Sequence, residues 1–318
     1  MRTDTWPALP YQAWRETCTN LQLRSQIVGK IRLAQTPWLN HSWHVTAYVT
    51  ARGLTTGPIP HGDRVFQIDF DFIDHRLVVQ TSDGLTRSMP LVEQTIADFH
   101  AAVVAHMRDL KLEVKFHGIP NEVPDPIPFT EDREHRAYDA DAVQRFWRAL
   151  LQIDRVFKLF RSGFLGKVSP VHFFWGSFDM AVTRFSGRPA PPLPSANPGL
   201  PLAVAREAYS HEVSSAGFWP GGSGVDDAAF YSYAYPQPEG FSKTGVRPPQ
   251  AFYHDELGMF LLPYEVVRTA DSPDEVLLSF LQSTFDAAAD RAGWDRAALE
   301  CALGVPRVPR PLGSAARG

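Results

Sequence analysis

The stretch SPVHFFWGSFDMAVTRFSGRPAPP, residues 169–192, sets His172, Trp175, Asp179, Arg184 and Arg188 among phenylalanines and small residues. Read as a strand, HFFWGSFDMAVTRF is too apolar for an open surface, yet it carries an imidazole, a carboxylate and a guanidinium. Burying such groups together is costly unless they pair with one another or hold a ligand. Two downstream segments share the mixture: YSHEVSSAGFWPGGSG (209–224) and AFYSYAYP (229–236). Together they predict strands that bring aromatics, histidines and a few charges to one pocket.

Outward from this centre, the pattern alternates between helix and strand periods. Residues 140–161 place Val143, Phe146, Trp147, Leu150, Ile153, Phe157 and Phe160 on one helical stripe, with Gly163 suited to its end. On the far side, AFYHDELGMFLLPY reads as a hairpin. The helix after it opens on Ser272, Pro273 and Glu275, a capping-box pattern. In the first half, residues 10–37 read as one or two helices and WHVTAYVT (43–50) as a strand. FQIDFDF (66–72) alternates with period two and returns through RLVVQT. A helix is expected from Ser88 and Pro90 through Leu110, then a strand over KLEVKFHG (111–118). The proline-rich run GIPNEVPDPIPFTEDREHR (118–136) is a boundary or a strap across the surface.

These elements predict an α+β fold: antiparallel-rich sheets in two related halves packed together, with helices on the outer faces. The boundaries are 1–128 for the N-terminal half, 137–304 for the C-terminal half carrying the pocket, and 305–318 for a disordered tail. VTARGLTTGPIP (49–60) and VTRFSGRPAPP (182–192) share a Val-Thr start, an Arg, a Gly and closing prolines, which suggests a duplication.

Four strings, HFFWGSFDMAVTRFSGRPAPP, REAYSHEVSSAGFWPGG, FIDHRLVVQTSDG and FLQSTFDAAADRAGWDRAALE, resemble a bacterial domain-of-unknown-function family, number 5996. The likeness runs from about Trp14 to Glu300. The resemblance implies a stand-alone, mostly bacterial protein and brings no catalytic roles with it.

Charge narrows the partners. The net charge is −4, with 31 basic and 35 acidic residues mixed along the chain, so the basic stripe that nucleic acid requires is missing. The 27 prolines imply many stiff loops. Two cysteines, Cys18 and Cys301, form neither a disulfide framework nor a zinc spacing. Residues 1–10 lack the apolar core of a signal peptide, and runs such as MFLLPYEVV are too short to span a bilayer. The expectation is a cytoplasmic protein with a small-molecule ligand and neither a nucleic-acid nor a membrane partner.

Common motifs are missing. HEVSS (211–215) lacks the second histidine of a zincin helix, GGSGV (221–225) lacks the closing glycine of a nucleophile elbow, and FLGKVS lacks the rest of a phosphate loop. Chemistry is therefore sought in constellations. His172, His211 and His254 are three imidazoles suited to a divalent metal, Zn²⁺ or Fe²⁺, although the spacing matches no ligand pattern. The competing reading is a hydrogen-bonded core histidine at each place.

Flat alternation puts His172, Gly176, Met180 and Arg184 on one face, and Trp175, Ser177, Asp179 and Thr183 on the other. A bulge at Gly176 would join His172 to Asp179 as a general base and its partner. Arg184 and Arg188 would clamp an anion, unless Arg184 simply pairs with Asp179. Trp175, Trp219, Tyr231 and Tyr233 would wall the pocket. Asp69 and Asp71 share a strand face that Lys115 and His117 would neighbour, and a solvated face with cross-strand charge pairs accounts for them best. The function expected is an enzyme acting on a small polar or anionic molecule in this aromatic, histidine-lined pocket. The alternative is a non-catalytic ligand- or peptide-binding protein.

Overall fold

The computed structural model describes residues 5–196, 199–222 and 225–310. Helix α1 (Tyr11–Gln35) starts after Pro10 and ends where the Thr36 N–H closes on the Arg32 carbonyl at 3.0 Å. It is one unbroken helix, buried on most sides, and it carries polar residues into the interior. Thr17, Asn20 and Arg24 lie along one side, and Gln26 and Lys30 along another.

Sheet one follows: β1 (Tyr48–Val49), β2 (Gly53–Thr55), β3 (Ile59–His61), β4 (Arg64–Asp71), β5 (Arg76–Thr81) and β6 (Thr86–Pro90). All pairs are antiparallel, in the order β1-β2-β4-β5-β6, with β3 also on β4. Along β4, Phe66, Ile68 and Phe70 are buried while Gln67, Asp69 and Asp71 are half-exposed, the period-two pattern of the sequence.

Helix α2 (Ile96–Asp109) is capped by Thr95, which accepts from the Asp98 N–H at 3.1 Å. Residues 86–90, expected to lead into a helix, are instead the edge strand β6, and Val92 is exposed. Pro90 suits an edge strand because its missing N–H is not called on there. Residues 111–118 keep the alternating burial of Leu112, Val114 and Phe116 but pair with no strand. Lys115 and His117 therefore do not neighbour Asp69 and Asp71. Asp71 instead accepts from Arg52 at 2.6 Å. Residues 43–50 form only part of the expected strand: Tyr48 and Val49 pair with β2, and Ala47 forms a single bridge to Phe173.

Helix α3 (Ala140–Ser162) is as its stripe predicts, capped by Asp139 and ended at Gly163. Sheet two comprises β7 (His172–Phe174) and β8 (Asp179–Pro189), then, after α4 (Leu202–Ala208), β9 (His211–Trp219), β10 (Ala229–Tyr235), β11 (Phe252–His254) and β12 (Met259–Pro263). It is antiparallel in the order β11-β12-β10-β9-β8-β7. Three helices close the chain: α5 (Tyr264–Arg268), α6 (Pro273–Arg291) and α7 (Arg296–Leu299). Pro273 sits in the first turn of α6, but the Ser272 side chain makes no capping bond.

The α+β fold and its antiparallel sheets are as expected. The segment 172–185, read as one strand, is a hairpin that turns over Trp175–Phe178, with Phe178 held at φ +57°. The resemblance between 49–60 and 182–192 has no structural counterpart. The first segment folds back between β1 and β2, whereas the second runs on as β8. The tail lies outside the described residues from 311 onward. Residues 305–310 turn between Val305 and Val308, and Arg310 reaches the Ala302 carbonyl at 3.1 Å.

The two sheets meet edge to edge. Ala47, just before β1, exchanges two backbone hydrogen bonds with Phe173 of β7, at 2.9 and 2.8 Å. Helix α3 spans this seam. Its Phe146 packs against Phe173 and Phe178, its Trp147 donates to the Thr50 carbonyl at 3.0 Å, and its Phe157 meets Phe230 of β10. One face of sheet two is thereby taken up by core, and the other is left for the site.

Candidate functional site

Strand register decides which side chains share the free face of sheet two. Ala181 pairs with His172 and Gly217, Gly217 with Tyr231, and Thr183 with Ser215, which pairs with Tyr233. Directly opposed residues point the same way, so His172, Asp179, Thr183, Ser215, Tyr231 and Tyr233 lie on one face. The hairpin turn achieves this parity without a bulge at Gly176. Arg184, five residues from Asp179, necessarily lies on the other face.

Asp179 forms the floor. It is buried and accepts hydrogen bonds from Ser177 Oγ and the Tyr231 hydroxyl. Tyr231 can reach from β10 to β8 because its ring crosses the intervening strand above Gly217. A Cβ there would stand 2.2 Å from the ring. Trp219 packs on Tyr231 with centroids 4.3 Å apart, and Tyr233 stacks on Tyr231 at 6.0 Å. The Tyr233 hydroxyl meets that of Tyr209 at 2.7 Å, and Ser215 shares a hydrogen bond with Thr183 at 2.8 Å. Tyr209, Tyr233 and Trp219 are half-buried, so the network extends from a buried floor to a partly open rim.

The second carboxylate is Glu122, from the proline-rich strap. Helix α1 fixes the strap at Asn121: Gln26 donates to its carbonyl at 2.8 Å and accepts from its N–H at 2.7 Å, and Lys30 donates to its side-chain oxygen. Gln22, one turn earlier on α1, holds the β7–β8 turn through the Gly176 carbonyl at 2.7 Å. Glu122 lies directly over Gly176, where a Cβ would be 2.3 Å from its carboxylate. Both carboxylates are attended by strained backbone, Glu122 itself at φ +54° and Phe178, next to Asp179, at φ +57°. Non-glycine residues persist in this region only where their surroundings over-determine them, and such positions cluster at functional sites.

Burial lifts the Asp179 carboxyl to about 6, against the opposing pull of its bonds from Ser177 and Tyr231. Burial lifts Glu122 to about 7, and the charge of Asp179 adds to the shift. Tyr209 and Tyr231 are pushed well above their ordinary range, first by burial and then by neighbouring charges and hydroxyls. The hydroxyls therefore remain protonated donors around a pair of reluctant acids.

The expected residues divide sharply. Asp179, Trp219, Tyr231 and Tyr233 come together. His172 shares their face but touches none of them. It is buried beside Phe174, and burial together with the charges of Arg32 and Arg161 depresses its pKa to about 3. A neutral imidazole of such weak basicity is no general base. Arg184 is neither an anion clamp nor the partner of Asp179. It lies in the core, donates to the Phe160 carbonyl, and has the Phe160 ring 3.5 Å and the Phe285 ring 4.4 Å from its guanidinium. Burial lowers its pKa to about 10.

Arg188 is half-exposed and pairs with Glu212 at 2.7 Å while capping the Ala292 carbonyl at the end of α6. Trp175 is a seam residue. It packs on Gly29 of α1 and donates to the Val45 carbonyl at 2.8 Å, beside a cavity of about 20 Å³. The metal set is dispersed as well. His211 meets Ser210 at 3.1 Å, and His254 accepts from Leu257 in the β11–β12 turn at 3.3 Å. Among the described residues, no three His, Cys, Asp or Glu side chains are placed to hold a metal.

Sequence reasoning missed Glu122 and Tyr209. Neither carries a local signal, since the partners that fix Glu122 lie on α1 and in the β7–β8 turn. A profile described as a family of unknown function, DUF5996, matches residues 6–301. No curated protein and no solved structure matches the chain.

Proposed function

The chain belongs to the DUF5996 family of unknown function, and from its geometry we propose that it performs acid–base chemistry on a small polar molecule bound at Glu122, Asp179 and the surrounding tyrosines. The observation that carries this reading is the pairing of two carboxyls whose proton affinities are lifted to about 6 and about 7. Near neutral pH such a pair shares roughly one proton, so one member can donate while the other accepts. Tyr231 and Ser177 keep the Asp179 carboxylate oriented, and Tyr209, Tyr233 and Trp219 offer stacking surface with polar tips.

An anionic substrate fits poorly. The two arginines expected to hold it are engaged elsewhere, and the site presents carboxylates, so the favoured ligand is neutral or cationic. A cytoplasmic setting belongs to the same proposal and is supported by two free cysteines. No helix among the described residues is long and apolar enough to cross a membrane.

Carbon-13 NMR of labelled Asp and Glu carboxyls tests the pair directly. The expected result is two coupled steps near pH 6 and 7, with the Glu122 step moving down in Asp179→Asn. Two carboxyls titrating in the ordinary range near 4 would remove the basis of the proposal. The non-catalytic reading draws on the Asp179 carboxylate being already held by two donors, as in a rigid recognition group. It predicts that ligands found by thermal-shift screening are recovered chemically unchanged.

A further inference from the structure

At another end of the fold, a lysine lies against an imidazole. Lys167, in the loop between α3 and β7, brings Nζ to 2.6 Å from His41 Nε2. The other ring nitrogen, Nδ1, faces the Ala208 carbonyl at 2.5 Å. A carbonyl can only accept, so Nδ1 carries the proton and Nε2 presents its lone pair to the lysine. The ammonium is flanked by the rings of Phe185 at 4.8 Å and Trp43 at 5.5 Å. The short turn that places His41 is strained, with His41 and Ser42 both at positive φ, +59° and +58°. Lys158, by contrast, spends its charge on Asp154 at 2.6 Å.

We propose that Lys167 is a carbonyl-reactive amine, with His41 as its proton acceptor, and that this second site takes an aldehyde or ketone. His41 Nε2 accepts a proton from the ammonium, and the freed amine attacks the carbonyl carbon to give a carbinolamine. The imidazolium returns the proton to the oxygen. A second proton from nitrogen departs with that oxygen as water, leaving a protonated imine, so charge and atoms balance without an oxidant or reductant. The aromatic walls suit a substrate with an apolar body.

The surrounding charges are few. Glu207 of α4 accepts the His41 backbone N–H at 3.0 Å, and the His211 ring of β9 lies 6.1 Å from that of His41. Burial lowers the pKa of both Lys167 and His41; Glu207 opposes each shift, and the Ala208 carbonyl restores part of the basicity of His41.

The test is reductive alkylation of the full chain with limiting propanal and cyanoborohydride at pH 7, followed by peptide mapping. The five other lysines, Lys30, Lys111, Lys115, Lys158 and Lys243, serve as internal standards. Lys167 is expected to react several-fold faster than the exposed Lys111, Lys115 and Lys243, because burial leaves more of it as free amine and His41 stands ready to take its proton. Its pH–rate midpoint should lie below theirs. His41→Gln keeps a hydrogen-bond acceptor but not a base. It should bring Lys167 down to the rate of the exposed lysines and raise its midpoint, leaving Lys243 unchanged. Equal labelling of all exposed lysines, a spared Lys167, or an unaltered rate and midpoint in His41→Gln would overturn the proposal. Should His41→Gln fail to fold, the wild-type midpoints of Lys167 and Lys243 decide it.

Discussion

At His172, burial and the charges of Arg32 and Arg161 act in one direction, holding the ring neutral down to about pH 3 against an ordinary value of 6.5. The unfolded chain takes up a proton that the folded chain refuses, so stability is lost as pH falls through this window. His172→Met should remove that acid sensitivity, recovering on the order of 3 kcal/mol by pH 4. Urea denaturation of both proteins between pH 7 and 4 measures the difference. Asp179 works with the opposite sign. Its folded value of about 6 lies above the ordinary 3.8, so its contribution is fully present in acid and is lost as pH rises through 6. Asp179→Asn should therefore gain on the wild type between pH 4 and 7, by on the order of 3 kcal/mol. A flat difference across that range would mean that the carboxyl is not desolvated as its burial indicates.

Among the elements, strand β9 depends on one absent side chain. Gly217→Ala would drive a methyl into the Tyr231 ring, at a cost of about 1–3 kcal/mol. It would also lift the phenol from Asp179, and with one donor lost the Asp179 carboxyl should titrate higher still. A melting curve and a carboxyl titration of the same variant check both effects. Nothing in SSAGFW announces this role, because the glycine answers to a tyrosine on another strand. Helix α3 and strands β4 and β10 were legible because a stripe or an alternation is complete within each. The β7–β8 hairpin was not, because its turn is Trp-Gly-Ser-Phe, with aromatics that serve the seam and the core. An apolar run with a hidden turn reads as one strand, and that error moved Arg184 into the site and Asp179 away from His172. The tyrosine spacing in β10 was read correctly, since period two survives any pairing.

Across the whole molecule, the expected halves at 1–128 and 137–304 share their most buried surfaces. Phe146 is fully buried at the seam, among Trp14, Phe173 and Phe178. Phe146→Ala should cost about 3–5 kcal/mol and leave a single cooperative transition. Residues 137–304 expressed alone should lack the near-UV circular dichroism of a packed core, having lost α1 and the edge at Ala47. A stable, cooperatively melting fragment would show instead that the seam is a junction between independent domains. The strap at Asn121 and Glu122 ties the chemistry to this assembly: one acid is contributed by each side, and α1 anchors both the strap and the turn beneath it. A substitution far from the tyrosines, such as Gln26→Ala, should thus reach the acid pair before it reaches the melting temperature. The proton affinities of Glu122 and Asp179 become a gauge of whether the strap and the sheet beneath it are docked, readable by titration even where the melting temperature is unmoved.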